Sequence, residues 1–343
     1  MLIQPDKITA VIGGQFGSEG KGVIQGWLGN RYSWDYAITN ASANAGHTCH
    51  FPFGPDKKVY KLITYHLPMS GLLDVGCKLH LSAGAIIDPR ALESEIDAIE
   101  SAWPMPLGIR RRLTIDPRAA VIEPKDIAAE LDPESGAAKI ASTQHGVGAA
   151  LVRKIQRTAY LAQDYPSLVR YVYKPNIALA VRNGAQAILE IPQGFGLGIN
   201  SGYSYPHCTS REVSVAQGMA DARLDPRLLG SVVMVVRTFP IRVGNIATGE
   251  SGPFYPDSRE VTWEEIGVPA EITTVTKRIR RVATFSQMQY AEALAQLQPS
   301  HVHLSFADYL SPEGLAALAL RMGESGHAPD TMGFGPSISD VRD

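Results

Sequence analysis

The chain is poor in cysteine: its 343 residues hold three, Cys49, Cys77 and Cys208, widely spaced and with no C-x-x-C pair. An odd number placed this way argues against a disulfide framework or a zinc site and suits a reducing compartment. Long hydrophobic runs are missing as well, and no stretch reaches the ~20 apolar residues of a membrane span. The opening segment, Met1 to Gly14, has no charged start, extended apolar stretch or small-residue cleavage site, so no secretory signal is expected and the expected location is the cytoplasm. Neither sign of charge is in excess, since 32 basic and 34 acidic residues leave a net charge of -2. The whole chain therefore gives no reason to expect nucleic acid or a membrane surface as partner, and any anion site must be local.

What is present is material for a core. Hydrophobic residues make up 45% of the chain, enough for a domain that needs no covalent staples. Short apolar, β-branched runs recur at Ile8–Ile12, Val59–Ile63, Leu79–Leu81, Ala187–Ile191, Val232–Val236 and Val302–Leu304. Bounded by Gly, Pro or polar residues, they read as interior strands of a sheet covered on both faces. Between them, Asp88 is placed to cap a helix beginning at Pro89, and Ser286–Leu297 has Leu and Ala at helical spacing. The expectation is an α/β protein with a largely parallel central sheet covered by helices. Glycine and proline are frequent, yet no linker or repeat divides the chain, so residues 1–343 are expected to form a single domain with large loops at 13–22, 40–48, 142–149, 193–210, 249–256 and 273–281.

The first of these loops reads Gly13-Gly14-Gln15-Phe16-Gly17-Ser18-Glu19-Gly20-Lys21-Gly22 between a strand and a helix. Glycines let backbone N–H groups approach phosphate oxygens, a helix N-terminus adds a favourable dipole, and Lys21 adds a positive charge on what reads as a solvent-facing loop. It is not a standard Walker A: five residues separate Gly14 from Gly20 where that motif has four, and Gly22 stands where Ser or Thr would hold magnesium. The second loop, Asn40-Ala41-Ser42-Ala43-Asn44-Ala45-Gly46-His47-Thr48, surrounds one imidazole with small residues. Alone, His47 would suit a structural or surface role as well as a catalytic one.

Together, GSEGKG and NAGHT resemble the signatures GDEGKGK and GGHNAGHT of the adenylosuccinate synthetase family. Further segments are similar in the same order: Ser142–Gly148 to TTGRGIG, followed by matching Lys154 and Arg157, Ile191–Gly194 to GAQG, and Tyr205–Ser210 to YPFVTS. Arg242–Gly244 and Ser251–Phe254 resemble RVG and GPFPTE, Val275–Arg281 resembles TTGRRRR, and Gly333–Pro336 the C-terminal VGP. The Lys277–Arg281 cluster by itself would equally suit a nucleic-acid patch or a solvated charge run.

The resemblance implies an adenylosuccinate synthetase-like, P-loop-related fold and a carbon–nitrogen ligase working in two steps. A donor γ-phosphate is transferred to O6 of a purine monophosphate, and the amino group of L-aspartate then displaces it. Catalytic roles fall on Ser18, Lys21, His47 and Gln193. The monophosphate is expected at Ser18, Asn44, Ala45, Thr143, Gln193, Thr209 and Arg278, with Arg157 reaching the neighbouring subunit of a homodimer. The triphosphate is expected at Gly17, Glu19, Gly20, Lys21, Gly22, Gly46, His47, Thr48, Arg280, Phe306, Asp308, Gly333 and Gly335. Mg²⁺ is expected at Ser18 and Gly46, and aspartate at Thr274, Val275, Thr276, Arg278 and Arg280, whose guanidinium groups suit carboxylates.

Two positions depart from the family pattern. Ser18 stands where the usual motif has the aspartate that removes the purine N1 proton. A shorter side chain there leaves room for the 2-amino group of guanine and can accept its hydrogen bond. This change resembles the phage branch of the family that uses dGMP to make a precursor of 2-aminoadenine DNA, so dGMP is the expected acceptor, and a phage-encoded enzyme would act in the host cytoplasm. Phe306 replaces the lysine of the TKxD-like segment that reads the guanine of GTP. ATP or dATP thus becomes the expected donor, with Asp308 leaving GTP open. The alternatives are a conventional enzyme using IMP and GTP, and a non-catalytic nucleotide-binding regulator.

Overall fold

The computed structural model describes residues 4, 7–247, 249–273 and 277–343. The run Ile8–Gly13 forms strand β1, buried along its whole length, with Val11 in one apolar core and Ala10 and Ile12 in another. A strand apolar on both faces has to lie inside a sheet that is covered twice. It is followed by helix α1 (Lys21–Arg31), β2 (Tyr36–Thr39), β3 (His47–Phe53), β4 (Lys58–Thr64) and β5 (Lys78–Leu81). Then come α2 (Pro89–Ala102), β6 (Leu113–Ile115), α3 (Val147–Gln156), β7 (Ala187–Gly194) and β8 (Leu229–Arg237). Helix α4 (Gln287–Leu297), β9 (His301–Ser305), α5 (Pro312–Glu324), β10 (Thr331–Gly333) and β11 (Val341–Arg342) complete the framework. The expected cap is present: the Asp88 carboxylate accepts from the N–H groups of Arg90 and Ala91, and Pro89 occupies the first turn.

The central sheet has nine strands in the order β11-β10-β9-β8-β1-β7-β2-β5-β6. Neighbours run parallel except β10 and β11. One face packs against Ile24, Leu28, Leu92 and Ile96; the other against Met219, Tyr290, Leu297 and Met322. Each such fully buried side chain contributes about 1.5–3 kcal/mol. Because the parallel strands point the same way, the loops leaving their C-terminal ends gather along one rim, which is where α/β sheets bind ligands. No helix of the described residues is long and apolar enough to cross a membrane.

One strand expected in the interior lies elsewhere. Val59–Ile63 falls within β4, which pairs antiparallel with β3 in a separate two-stranded ribbon, and Val59 is 56% exposed. Lys58 and Lys61 give the physical reason, because charges interrupting an apolar run mark a strand with one side in water.

The ribbon fixes α1. A Cβ on Gly22 would lie 2.5 Å from the carbonyl oxygen of Thr48 and 2.8 Å from its nitrogen. Only glycine permits this approach, so Gly22 sets the contact between the first helical turn and β3.

Candidate active site

The loop after β1 turns through three left-handed residues, Gly17 (φ 82°), Ser18 (φ 57°) and Gly20 (φ 85°). It is folded around Glu19. That carboxylate is fully buried and accepts the N–H of Gly17 at 2.7 Å and of Gln15 at 3.2 Å. Gly13 and Gly194 make room for it, since a Cβ on either would come within 2.4 Å of a Glu19 oxygen. The side chain of Glu19, expected at the triphosphate, therefore lies beneath the loop and braces it. Lys21 also differs from expectation: it is 3% exposed rather than solvent-facing, with Nζ 2.7 Å from Glu19 Oε2 and 2.5 Å from the Gln193 carbonyl oxygen. A buried charge is costly unless it is paired or hydrogen-bonded, and the lysine two residues on supplies a counterion while still lining the cleft.

That cleft, of about 580 Å³, runs along the C-terminal rim of the sheet. Its wall includes Gly17, Ser18, Gly20, Lys21, Gly22, Asn44, Ala45, Gly46, His47 and Thr48 from the first two motifs. Thr143, Gln193, Thr209, Arg280, Phe306, Asp308, Gly333 and Gly335 join them from segments distant in sequence. Arg157 and Arg278 are not on this wall. Arg157 is exposed at the C-terminus of α3, and the Arg278 guanidinium donates to the carbonyls of Gly244 (3.1 Å) and Ser142 (3.0 Å), tying two loops together. Thr274, Val275 and Thr276 lie outside the described residues.

Charged side chains hold the loops in place. Arg211 donates to the carbonyls of Asn40 (3.0 Å) and Gly84 (2.9 Å) and to Ser42 Oγ (2.9 Å), fixing the start of the second motif. Glu130 accepts from the N–H groups of Gly146, Gly148 and Ala149, so the N-terminus of α3 is satisfied by the protein's own carboxylate.

His47 is partly buried at the start of β3. Burial and, after it, the Lys21 ammonium push its pKa down to about 3, so at neutral pH the imidazole is neutral and keeps one N–H to donate. An unfolded imidazole binds its proton near 6.5. The unfolded chain thus binds more protons between those values, and the stability this group contributes above pH 6.5 is lost as pH falls towards 3. We expect the His47 ring to remain neutral from pH 8 to 5 without nucleotide and to shift upward when a triphosphate binds, as read by NMR titration. An unchanged titration on binding would separate His47 from the phosphates.

Sequence reasoning missed one cluster. Glu271, on the cleft wall, pairs with Arg237 and accepts from Tyr309 Oη at 3.2 Å. Its Oε2 lies 3.8 Å from Arg280 Nε. Arg280 Nη1 donates to Ser18 Oγ at 2.7 Å, and Arg237 Nη1 to the Ser18 carbonyl at 3.1 Å. Ser18 is therefore gripped at its side chain and its backbone. The only available signal was the RTF segment next to the recognised RVG motif, which carries no marker of its own.

Among the described residues, no group of three or more His, Cys, Asp or Glu side chains is arranged to hold a metal ion. Of the two residues expected at Mg²⁺, Gly46 lines the cleft, while the Ser18 hydroxyl and carbonyl oxygens already accept from Arg280 and Arg237.

The adenylosuccinate synthetase family model matches residues 10–169 and 165–318. Over 98% of its length the chain is 34% identical to the N6-succino-2-amino-2'-deoxyadenylate synthase of Salmonella phage PMBT28, covering 97% of that protein. It is 33% identical to the adenylosuccinate synthetase of Methanococcus vannielii over 81% of the chain and 77% of that protein. In three dimensions it is similar to the cyanophage S-2L succinoaminodeoxyadenylate synthetase bound to dGMP and to dATP as an energy donor, with a TM-score of 0.84, 32% identity, and coverage of 98% and 95% of the two chains. The Plasmodium falciparum adenylosuccinate synthetase, 19% identical with a TM-score of 0.77 over 98% and 99% of the chains, shares the fold. The glycine-rich cradle, the collinear motifs and these similarities together make the chain a member of the adenylosuccinate synthetase family of carbon–nitrogen ligases.

Proposed function

We propose that this chain joins L-aspartate to C6 of dGMP at the expense of a purine nucleoside triphosphate, giving N6-succino-2-amino-2'-deoxyadenylate for 2-aminoadenine DNA. The observation that carries this reading is Ser18 on the cleft wall, which Lys21 and Gln193 also line. Arg280 occupies one lone pair of its hydroxyl oxygen, and the other can accept an N–H of the guanine 2-amino group. The phage and cyanophage proteins bearing the name of this product, or bound to dGMP, support the same substrate.

In the first step N1 of dGMP gives up its proton to water, a phosphate oxygen or the aspartate substrate as O6 attacks the γ-phosphorus, and the bond to the β,γ-bridging oxygen breaks to release a nucleoside diphosphate. In the second, the aspartate amine attacks C6 and the C6–O bond breaks to release phosphate. Both steps build negative charge, so preorganised donors matter most. Lys21 and N–H groups of the loop after Gly17, whose own N–H is held by Glu19, cradle the moving phosphoryl group, and neutral His47 donates to the donor phosphates. Asn44, Ala45, Thr143, Gln193 and Thr209 hold the monophosphate. Arg280, with residues 274–276, takes the aspartate carboxylates, while Arg278 holds the loops around them through the Gly244 and Ser142 carbonyls. Mg²⁺ would be held by the Gly46 carbonyl and the phosphates rather than by Ser18, whose oxygens already accept from Arg280 and Arg237, and it would supply charge neutralisation. The donor is ATP or dATP, because Phe306 offers an apolar ring where a lysine would read guanine.

Phosphate release by the purified protein with aspartate, Mg²⁺, each of ATP, dATP and GTP, and either dGMP or IMP tests the reading. Turnover is expected with dGMP and an adenine donor. Turnover of IMP with none of dGMP would identify a conventional enzyme, and binding without turnover on any pair would indicate a regulator.

The active species is a homodimer with sites completed across the interface. Val152 and Ile155 on α3 are 52% and 68% exposed beside Arg157, an apolar face that a second copy would cover. Mixing inactive Arg157→Ala with inactive Lys21→Ala should restore activity, because one site of each mixed dimer then has both residues. No rescue after demonstrated subunit exchange would refute the shared site.

A further inference from the structure

Arg237 is fully buried at the end of β8, yet it touches two residues of the cleft wall, Phe306 and Ser18. Its guanidinium carbon lies 4.0 Å from the centroid of the Phe306 ring, at the position that faces the donor base. Its Nη1 bonds the Ser18 carbonyl at 3.1 Å, at the position that faces the acceptor base. Its backbone is clamped by Gln15, whose Oε1 accepts from the Arg237 N–H at 3.0 Å and whose Nε2 donates to the Arg237 carbonyl at 3.2 Å. Thr238, the next residue, donates to the Phe306 carbonyl at 2.8 Å. Glu271 then joins Arg237 to Arg280, which holds the Ser18 hydroxyl.

We infer that Arg237 and Glu271 are positioning residues that couple the two nucleotide subsites, so that an adenine base on Phe306 sets Ser18 for the guanine base. Ser18 sits at φ 57°, a conformation that costs a non-glycine residue energy and persists only where its surroundings impose it. Those surroundings are the two guanidinium groups. A base packed on Phe306 restricts the ring, the ring restricts the planar guanidinium stacked on it, and the guanidinium fixes the Ser18 carbonyl. A network of charge-assisted bonds with one geometry can transmit this restriction. Ligands that each favour the same arrangement must tighten one another by the same factor.

The inference rests on dGMP and an adenine donor sharing this cleft. It is tested by calorimetric titration of dGMP with and without the β,γ-imido analogue of ATP. In the native chain the analogue should tighten dGMP by about tenfold, an ordinary size for coupling. In Arg237→Lys, which keeps the charge but loses the planar fork and the stack, the factor should fall below about twofold, while dGMP alone binds within about threefold of native. Glu271→Gln and Phe306→Leu should reduce the factor in the same way, and they decide the matter if Arg237→Lys does not fold. Residues with a purely structural role would weaken both ligands and leave the factor unchanged. An unchanged factor in the folded variants, or no coupling in the native chain, overturns the inference. Failure to bind dGMP alongside binding of IMP is a different result: it overturns the substrate reading, and the same titration with IMP then tests the coupling.

Discussion

Lys21→Ala is expected to lower kcat by about 10²–10³-fold, the loss found when one preorganised oxyanion donor is removed. Expression of a folded protein should be harder than a surface lysine would suggest, because Lys21 is buried against Glu19 and the Gln193 carbonyl. Removing one partner of a buried pair leaves a charge without its counterion and typically costs about 3–5 kcal/mol. Two of the Glu19 hydrogen bonds, from Gly17 and Gln15, remain, so the cost should fall at the lower end. The double variant Glu19→Gln with Lys21→Ala separates the two effects: it should recover much of the urea midpoint and none of the turnover. Near-normal kcat in Lys21→Ala would remove this residue from phosphoryl transfer.

The second large effect is expected at Ser18. Ser18→Asp suits the local backbone, since Asp tolerates the left-handed region better than most residues. It places a carboxylate beside Arg280, which now donates to the serine oxygen at 2.7 Å, and an Arg–carboxylate pair is stronger than an Arg–hydroxyl bond. The larger side chain crowds the guanine 2-amino group while restoring the family's base for hypoxanthine. The ratio of kcat/KM for dGMP to that for IMP should fall by about 1–3 kcal/mol in free-energy terms, the usual range for a change of this size in a pocket. Equal losses on both substrates would mean that Ser18 shapes the phosphate loop without reading the base.

Much of the fold was legible because interior strands are written as short apolar runs. Ile8–Ile12, Ala187–Ile191 and Val232–Val236 lie side by side at the centre of the sheet, and Asp88-Pro89 marks the start of α2. The ribbon was misread because Val59–Ile63 was weighed without its lysines. Strand β2 went unseen because Tyr36–Thr39, although buried, sets only Ala37 and Ile38 between a phenol and a hydroxyl and so does not read as an apolar run. In the site, the loops that approach phosphate were visible as glycines and small residues. The buried supports were not, since Glu271 reaches Arg237 across 34 positions and neither residue's neighbours reveal the pairing. Lys21 is the instructive case. Its presence in the loop was plain, but its burial follows from a carboxylate folding under the chain, and only packing decides that.

The contact between Gly22 and β3 restricts how this loop can change over generations. A Walker-type loop places Ser or Thr directly after its lysine to reach magnesium, and a single codon change could bring serine to position 22. Here that side chain would begin 2.5 Å from the Thr48 carbonyl oxygen, and α1 and the ribbon would have to separate before the hydroxyl gained any use. Stepwise substitution is thus blocked at its first move by sterics rather than by chemistry. A lineage with this packing has to adjust its metal and base chemistry elsewhere in the loop, and exposed Ser18 is a position where a single substitution can be tried and kept.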